Sequence, residues 1–212
     1  NNDGSIDYKA LHDLVQWQIE CGVEGLVPVG TTGEAPTLDF DEHAQVIEAT
    51  AEAAAGKVKI IAGTGANSTA EALALTKDVL QSGVDATLQV TPYYNRPNAE
   101  GLYRHFSAVA DLGLPVVLYN VPGRTGREIP LDVVVRMSAH EKVVAIKEAA
   151  GSVDRVSAIR NACDLPVLSG DDSLALPMIS VGACGVISVA SNVIPKEMSS
   201  MVRLALDNDL SA

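Results

Sequence analysis

Lys147 is the residue whose surroundings indicate chemistry most directly. It follows the apolar residues 143–146, a pattern typical of a parallel strand that is buried on both faces. Burial disfavours the charged ammonium, and a neutral lysine amine attacks ketones to form Schiff bases. The alternative is a lysine that extends to solvent or pairs with the adjacent Glu148. Distinguishing a nucleophilic lysine from an ordinary surface lysine therefore requires evidence from other residues.

Several polar residues at other predicted strand ends can complete such a site. Thr31 and Thr32 lie in a glycine-flanked turn and offer hydroxyl and backbone N–H groups to a carboxylate. Tyr119 ends the strand before that of Lys147, where its phenol can exchange protons with the amine. Arg124 follows in a Pro-Gly-Arg-Thr-Gly loop, where a guanidinium can bind a second carboxylate through two parallel hydrogen bonds. Each also has an ordinary explanation: a plain turn, a core tyrosine or a solvated arginine.

Short β-branched runs alternate with alanine-rich segments along the whole chain. The runs predict strands over residues 25–29, 59–62, 86–90, 116–119, 143–146, 166–168 and 185–189. The segments between them predict helices over residues 8–20, 41–55, 69–81, 99–111 and 131–138. This alternation predicts a parallel sheet built from βαβ units. No low-complexity linker interrupts it, so residues 1–212 are predicted to form a single domain.

The position of the polar residues distinguishes between the two architectures that such a sheet can form. A doubly wound dinucleotide fold needs a Gly-x-Gly-x-x-Gly turn, and the nearest candidate, residues 63–68, lacks the third glycine. Instead, polar or glycine-rich residues follow every predicted strand, which is where (β/α)8 barrels build their active sites. We therefore predict an α/β fold, a (β/α)8 TIM barrel. A complete barrel takes about 250 residues and the first helix has no strand before it, so the sequence is expected to be incomplete at its front and back.

Composition and charge argue against several classes of function. The chain has a formal net charge of −12, a pI of about 4.6 and no block rich in lysine and arginine. Nucleic acids and anionic membrane surfaces are therefore not expected as partners. The 3 cysteines and 4 histidines lack metal-ligand spacing and predict neither a metal site nor a disulfide framework. With no signal peptide or membrane-spanning apolar stretch in it, the sequence predicts a cytoplasmic protein.

Five motifs together resemble those of a known family. They are Gly-Thr-Thr-Gly-Glu at 30–34, Val-Thr-Pro-Tyr-Tyr-Asn at 90–95, Tyr-Asn-Val-Pro-Gly-Arg-Thr at 119–125, Ile-Lys-Glu at 146–148 and Gly-Val-Ile-Ser-Val at 185–189. In this order and spacing they are similar to the class I pyruvate aldolases of the N-acetylneuraminate lyase superfamily. The similarity extends over essentially the whole chain. By this resemblance, the parts of the TIM barrel that the sequence lacks are the first strand and the C-terminal helical region.

The closest resemblance within that superfamily implies condensation of pyruvate with L-aspartate 4-semialdehyde. The product is 4-hydroxy-tetrahydrodipicolinate, for lysine and diaminopimelate biosynthesis. It implies a lyase in which Lys147 forms the Schiff base with pyruvate, with no metal and no other cofactor. A related aldolase or lyase that acts on a sugar acid, N-acetylneuraminate or 2-keto-3-deoxygluconate, would share Lys147 and Tyr119. Arg124 argues against this alternative, because a polyhydroxy aldehyde offers no carboxylate at that place.

A barrel that only binds ligands is an alternative of a different class, and the proton-transfer residues argue against it. The resemblance implies that Thr32, Tyr119 and Tyr94 form a proton relay beside Lys147, with Tyr94 entering the site of a neighbouring subunit. A site completed across an interface implies an oligomer, in this family a homotetramer of two tight dimers. From the residues alone, the Tyr93-Tyr94 pair between prolines is more typical of packing or of an interface.

The resemblance also implies which residues bind the two substrates. Thr31, Thr32 and Ile187 match pyruvate-binding positions, and Gly170 matches another loop position at the site. Arg124 matches the residue that binds the carboxylate of the semialdehyde.

An effector site for L-lysine is implied in the same way. Its positions match Ala35, Phe40, His43, Asn67, Glu71 and Tyr93. Two of them depart from the pattern of the lysine-sensitive members, because Phe40 stands where a histidine is expected and Ala35 where a serine is expected. Phe40 cannot form a hydrogen bond and Ala35 offers no hydroxyl, so weak or absent inhibition by L-lysine is expected.

Overall fold

The strands of the sheet pair in chain order. The computed structural model describes residue 1 and residues 3–209. Within them, one parallel sheet has the order β1-β2-β3-β4-β5-β6. Its strands are β1 (Gly25–Leu26), β2 (Lys59–Gly63), β3 (Ala86–Val90), β4 (Val116–Asn120), β5 (Val143–Glu148) and β6 (Val167–Ser169). A doubly wound sheet reverses its strand order at a switch point. This sheet does not, so the predicted α/β, TIM-barrel-like fold is confirmed.

Helices connect the consecutive strands. They are α1 (Tyr8–Glu20), α2 (Phe40–Ala54), α3 (Thr69–Asp78), α4 (Ala99–Ala110), α5 (Pro122–Thr125), α6 (Leu131–Ser138), α7 (Val153–Ala162), α8 (Ala175–Ser180) and α9 (Pro195–Leu206), with 3-10 turns at Ala35–Thr37, Asp172–Leu174 and Ala190–Asn192. Several begin at a side chain that accepts a hydrogen bond from a first-turn N–H, namely Asp7, Asp39, Ser68, Asn98 and Ser152. These caps explain why the helices predicted from residues 8, 41, 69 and 99 begin within one residue of the predicted position.

The first predicted strand is shorter than expected. It was expected over residues 25–29 and ends at Leu26. Pro28 has no N–H to offer a neighbouring strand, and Val29 has a φ of 50°, in the left-handed region that interrupts a strand. The Pro28 carbonyl still accepts a hydrogen bond from the Gly63 N–H at 3.0 Å. The segment after β1 therefore stays alongside β2 as far as the last residue of that strand.

The last predicted strand, over residues 185–189, is reduced to a single parallel bridge between Ser169 and Val186. The Ser169 N–H donates to the Gly185 carbonyl at 2.9 Å, and the Ile187 N–H donates to the Ser169 carbonyl at 2.9 Å. Among the described residues no strand pairs with its other side. Its ladder hydrogen bonds come from β6 on one side only, which is too little for a regular strand.

The two faces of the sheet bury different clusters. Val116 and Leu118 pack in the large core between the sheet and the helices. Val117 and Tyr119 alternate with them and pack on the opposite side, which we call the inner face. The helices complete the outer core with apolar residues at helical spacing, such as the fully buried Phe106 of α4. Burial of one such side chain stabilises the fold by about 2 to 3 kcal/mol.

A bulge in β5 decides which face Lys147 occupies. Val116 pairs with Val143 but Val117 pairs with Ala145, so Val144 is an extra residue in this strand. Beyond the bulge Lys147 pairs with Tyr119 and shares the inner face with it. Without the extra residue, every side chain after it would change sides. The bulge therefore directs the lysine amine to the inner face and away from the helices.

Candidate active site

The ends of the strands surround a cavity of about 200 Å³. Its lining includes five of the predicted site residues, Thr32, Tyr119, Arg124, Lys147 and Gly170, together with Val121, Ala149, Asp171, Asp172 and Val189. The cavity lies where parallel strands of a barrel-like fold deliver their functional side chains. A larger depression of about 610 Å³ between α1 and α2 is open to solvent and includes none of the predicted site residues.

The Lys147 amine lies inside this cavity and is largely shielded from solvent. The residue is 9% exposed, and Nζ lies 4.4 Å from the centroid of the Tyr119 ring. Burial lowers the pKa of Lys147 to about 8, although the negative charges of Asp171 and Asp172 oppose that shift. The positive charge of Arg124 lowers the pKa further. A substantial fraction of the amine is therefore neutral near physiological pH.

The surface-lysine explanation is wrong. Lys147 is buried, and the adjacent Glu148 lies on the other side of the strand, where it accepts hydrogen bonds from Asn120 and contacts Arg155. The two neighbouring charges therefore occupy different environments, as alternation along a strand requires.

Tyr119 presents a protonated phenol beside the amine. Burial raises the pKa of Tyr119, while a hydrogen bond from Thr31 and the charge of Arg124 oppose the rise. Thr91 holds the backbone of Tyr119, because its N–H and its hydroxyl both donate to the Tyr119 carbonyl at 2.9 Å. A phenol in this state can donate a proton and accept it back, which is the behaviour of a general acid/base.

Arg124 lies at the mouth of the cavity on the short helix α5. Pro122 begins this helix, since proline suits the first turn, and Gly126 ends it with a φ of 68°. The Thr125 hydroxyl donates to the Val121 carbonyl at 3.2 Å and to the Arg127 carbonyl at 2.8 Å, which anchors the turn. The Arg124 side chain is exposed at one end of the cavity, where a guanidinium can bind an incoming carboxylate.

Gly170 leaves space for the lysine side chain. A Cβ at this position would lie 2.6 Å from the Ala149 Cβ and 3.1 Å from the Lys147 Cε. Any larger residue would therefore displace the reactive lysine or the strand end that carries it.

Asp171 and Asp172 follow a predicted strand but were not among the predicted site residues. They line the cavity, and their charges raise the pKa of Lys147 against the effect of burial. The Asp172 carboxylate also accepts hydrogen bonds from the Val189 and Ala190 N–H groups at 3.1 and 2.9 Å. The signal that could have identified them is an acidic pair directly after a strand, at the end where barrel sites form.

Three predicted site residues do not line the cavity. Thr31 forms a hydrogen bond with the Tyr119 side chain. Ile187 packs against the apolar cluster of the inner face. Tyr94 is 91% exposed and has a φ of 70°, so its side chain projects from the loop after β3 and is not brought to the cavity by its own chain.

The predicted effector positions fall around the starts of α2 and α3 and the loop after β3. His43 is buried and its Nε2 lies 2.9 Å from the Gly63 carbonyl. Burial raises the pKa of Tyr93 and lowers that of His43, and the negative charge of Glu71 acts on both groups in the raising direction. Phe40 is 55% exposed at the start of α2. The structure brings Glu71, Tyr93 and His43 near one another, and the effector role itself stays a prediction.

The described residues contain no group of three or more histidine, cysteine, aspartate or glutamate side chains that could hold a metal ion. Within the same residues, no helix combines the length and the apolar character needed to cross a bilayer.

Comparison with known proteins agrees with this geometry. The sequence profile of the Dihydrodipicolinate synthetase family matches residues 1–212. The 4-hydroxy-tetrahydrodipicolinate synthase of Pelobacter propionicus is 48% identical over 211 residues, which cover 98% of this chain and 73% of that protein.

Solved structures give the same result. The 4-hydroxy-tetrahydrodipicolinate synthase of Methylacidiphilum fumariolicum SolV superposes with a TM-score of 0.95 at 53% identity, over 97% of this chain and 70% of that one. The chloride-inhibited dihydrodipicolinate synthase of Acinetobacter baumannii, complexed with pyruvate, has a TM-score of 0.95 at 48% identity, over 98% of this chain and 72% of that one. The fold, the strand-end cavity and the sequence agree, and the chain belongs to the dihydrodipicolinate synthetase family.

Proposed function

We propose that the chain is a lyase that condenses pyruvate with L-aspartate 4-semialdehyde through a Schiff base on Lys147, in lysine and diaminopimelate biosynthesis. The observation that carries this proposal is the buried Lys147 amine, whose pKa of about 8 lies far below that of a free lysine. At pH 7 such an amine is neutral in roughly one molecule in ten, against roughly one in three thousand at a pKa of 10.5.

The first half of the reaction makes the nucleophile. The neutral amine of Lys147 adds to the ketone carbon of pyruvate, and the adduct loses water to give a protonated Schiff base. Loss of a proton from the methyl group then gives an enamine. We assign the transfer of these protons to the Tyr119 phenol and to Thr32, which both line the cavity. Thr31, Thr32 and Ile187 are assigned to the pyruvate carboxylate and methyl group, with Gly170 leaving room for the lysine chain.

The second half joins the two substrates. The enamine carbon attacks the aldehyde carbon of the semialdehyde, and the aldehyde oxygen takes up a proton to become a hydroxyl. The amino group of the adduct then attacks the Schiff-base carbon and displaces the lysine amine as the ring closes. Arg124 at the cavity mouth binds the semialdehyde carboxylate, which holds the aldehyde in reach of the enamine. The covalent Schiff base provides the electron sink, so this chemistry requires neither a metal nor another cofactor.

A neighbouring subunit completes the site in this proposal. Tyr94 is almost fully exposed and its backbone is held in the left-handed region, a conformation that costs energy for a non-glycine residue and is often retained for function. We assign its hydroxyl to the proton relay of the adjacent subunit, in a homotetramer built from two tight dimers. The cytoplasmic location, the single domain over residues 1–212 and the missing first strand and C-terminal helical region stay predictions of the sequence.

Substrate assays test the proposal. The protein is incubated with pyruvate and L-aspartate 4-semialdehyde, and in parallel with N-acetylneuraminate and with 2-keto-3-deoxygluconate. We expect consumption of pyruvate only with the semialdehyde and no pyruvate release from either sugar acid. Pyruvate release from a sugar acid, with no reaction of the semialdehyde, would establish the related sugar-acid lyase instead.

A further inference from the structure

Glu148 is a fully buried carboxylate that the steps above do not use. It follows Lys147 at the end of β5, and alternation along the strand directs the two side chains to opposite faces. The charges that act on the Lys147 amine come from Asp171, Asp172 and Arg124. Glu148 therefore has another role than that of counter-ion to the reactive lysine.

The groups in direct contact with this carboxylate are donors. Asn120 Nδ2 donates to both oxygens, at 2.8 and 2.9 Å. The Ala150 N–H donates to Oε1 at 2.8 Å, and the Nε of Arg155 lies 3.5 Å from Oε2, an ion-pair contact. Burial and the nearby charge of Glu128 raise the pKa of Glu148, and these three partners oppose the rise. The donors that surround it are those that suit a carboxylate.

The side chains of Asn120 and Arg155, which contact Glu148, also hold the loop that carries Arg124. The Asn120 Oδ1 accepts a hydrogen bond from the Ile129 N–H at 3.0 Å. Arg155 donates to the Ile129 carbonyl and forms an ion pair with Glu128 at 2.9 Å. The loop that leaves β4 after Asn120 is therefore held at its far end, through both the N–H and the carbonyl of Ile129, by the two side chains that contact Glu148.

We propose that Glu148 is a positioning residue that joins the strand end of Lys147 to the loop of Arg124. Its carboxylate orients the Asn120 amide and the Arg155 guanidinium, and these two groups hold Ile129. Groups on the face of β5 opposite to Lys147, which do not contact substrate, thus determine the position of Arg124 relative to the amine. The kinetic consequence rests on the proposed function, because Arg124 is assigned there to the semialdehyde carboxylate.

Glu148→Gln is the sharpest test of this role. The substitution keeps the size of the side chain but replaces one acceptor oxygen by an NH2 group, which cannot accept a hydrogen bond. In one orientation of the amide this group faces Asn120 and Ala150, and in the other it faces Asn120 and Arg155. Glu100→Gln is the matched control, because Glu100 is a half-exposed carboxylate that also pairs with two arginines, on the outer helices. Arg155→Lys is a second variant that weakens the same network, in case Glu148→Gln does not fold.

Amide hydrogen exchange measures the network without any substrate. We expect Glu148→Gln to speed the exchange of residues 121–130 by about fivefold or more relative to the unchanged chain, because the two side chains that hold Ile129 are no longer fully oriented by a carboxylate. Arg155→Lys is expected to act in the same direction, and Glu100→Gln to leave this segment unchanged. Unchanged exchange of residues 121–130 in both network variants would overturn the proposal.

Kinetics then measure the consequence for Arg124. In Glu148→Gln, kcat/KM for the semialdehyde should fall about tenfold, mainly through KM, while borohydride trapping of pyruvate stays within about threefold of the unchanged chain. Added to Arg124→Ala, Glu148→Gln should cost less than about a further twofold, because both changes act through one group. The positioning role would be overturned if the losses in kcat/KM of the two single variants multiplied in the double variant. It would also be overturned if borohydride trapping of pyruvate fell as much as kcat/KM in Glu148→Gln.

The two proposals fail in different ways. If the unchanged chain does not react with the semialdehyde but exchange still rises in Glu148→Gln, the substrate assignment is wrong and the structural role of Glu148 stands. If the unchanged chain is active but Glu148→Gln alters neither exchange nor KM, the role of Glu148 is wrong and the proposed function stands.

Discussion

Arg124 and Lys147 act on the same cavity through different properties. Arg124 is exposed at the mouth, where the proposed function uses its directional pair of donors, whereas Lys147 is buried and is the proposed nucleophile. Arg124 also lowers the pKa of both Lys147 and Tyr119 through its charge. Residue types alone predicted these roles, because few side chains form Schiff bases or bind carboxylates bidentately.

Arg124→Ala should damage use of the semialdehyde far more than reaction with pyruvate. An exposed charge-assisted contact to a carboxylate is worth about 2 kcal/mol, so kcat/KM for the semialdehyde should fall roughly 30-fold. Arg104→Ala on the surface of α4 is the control and should leave kcat/KM unchanged. Equal losses in semialdehyde turnover and in pyruvate trapping would instead place Arg124 in the pyruvate pocket or in a purely structural role.

The sequence could not predict which face Lys147 occupies. Residues 143–146 are all apolar and show no alternation, so the run is compatible with either register. The bulge at Val144 makes that choice. Asp171 and Asp172 were missed for a related reason, because an acidic pair after a strand is equally typical of a solvated turn.

At the scale of elements, α1, α2, α3, α4 and α6 were predicted because their signals are local, whereas α5, α7, α8 and α9 were not given ranges. The capping box of Asp39 and Glu42 and the cap at Ser68 are readable from a few consecutive residues. The extents of β1 and of the segment 185–189 depend on partner strands elsewhere in the chain, which a local pattern does not describe.

His105 makes the packing of α3 against α4 sensitive to acid. Its Nδ1 lies 2.8 Å from the Thr69 hydroxyl, while its Nε2 is buried without a hydrogen-bond partner. Burial lowers the pKa of His105 to about 4. Since this lies below the value in the unfolded chain, the neutral ring stabilises the fold fully above about pH 6.5, and that contribution is lost as pH falls toward 4.

We therefore expect the free energy of unfolding to fall by on the order of 3 kcal/mol between pH 6.5 and 4 because of His105. His105→Gln, which does not titrate, should remove this part of the decline in urea unfolding experiments. The surface variant His12→Gln serves as the control. An acid-dependent loss of stability in His105→Gln equal to that of the unchanged chain would show that His105 makes no such contribution.

At the scale of the whole molecule, Tyr94 lies outside the cavity of its own chain, as a residue shared between subunits should. Lys147→Ala and Tyr94→Phe should each lose most activity when purified alone. Unfolded together and refolded as a mixture, they should recover about a quarter of the activity, since half the dimers are mixed and one of their two sites is complete. No recovery in verified mixed oligomers would show that Tyr94 does not act across an interface.

The effector positions lead to a second expectation at this scale. Phe40 at the start of α2 offers no hydrogen bond, and an unmet polar contact typically weakens affinity about tenfold to a hundredfold. Calorimetric titration with L-lysine should therefore show weak or no binding, and Phe40→His should tighten it. Micromolar binding by the unchanged chain would show that Phe40 is compatible with the site.

The central claim is that Lys147 forms the Schiff base, and borohydride trapping with pyruvate measures it most directly. Mass spectrometry should find one stable adduct, at Lys147 and at no other lysine, and Lys147→Ala should abolish it. Because the neutral amine is the nucleophile, the trapping rate should rise with pH through the pKa of about 8 and level off above it. An adduct at Lys142 or Lys196, or undiminished labelling of Lys147→Ala, would contradict the claim.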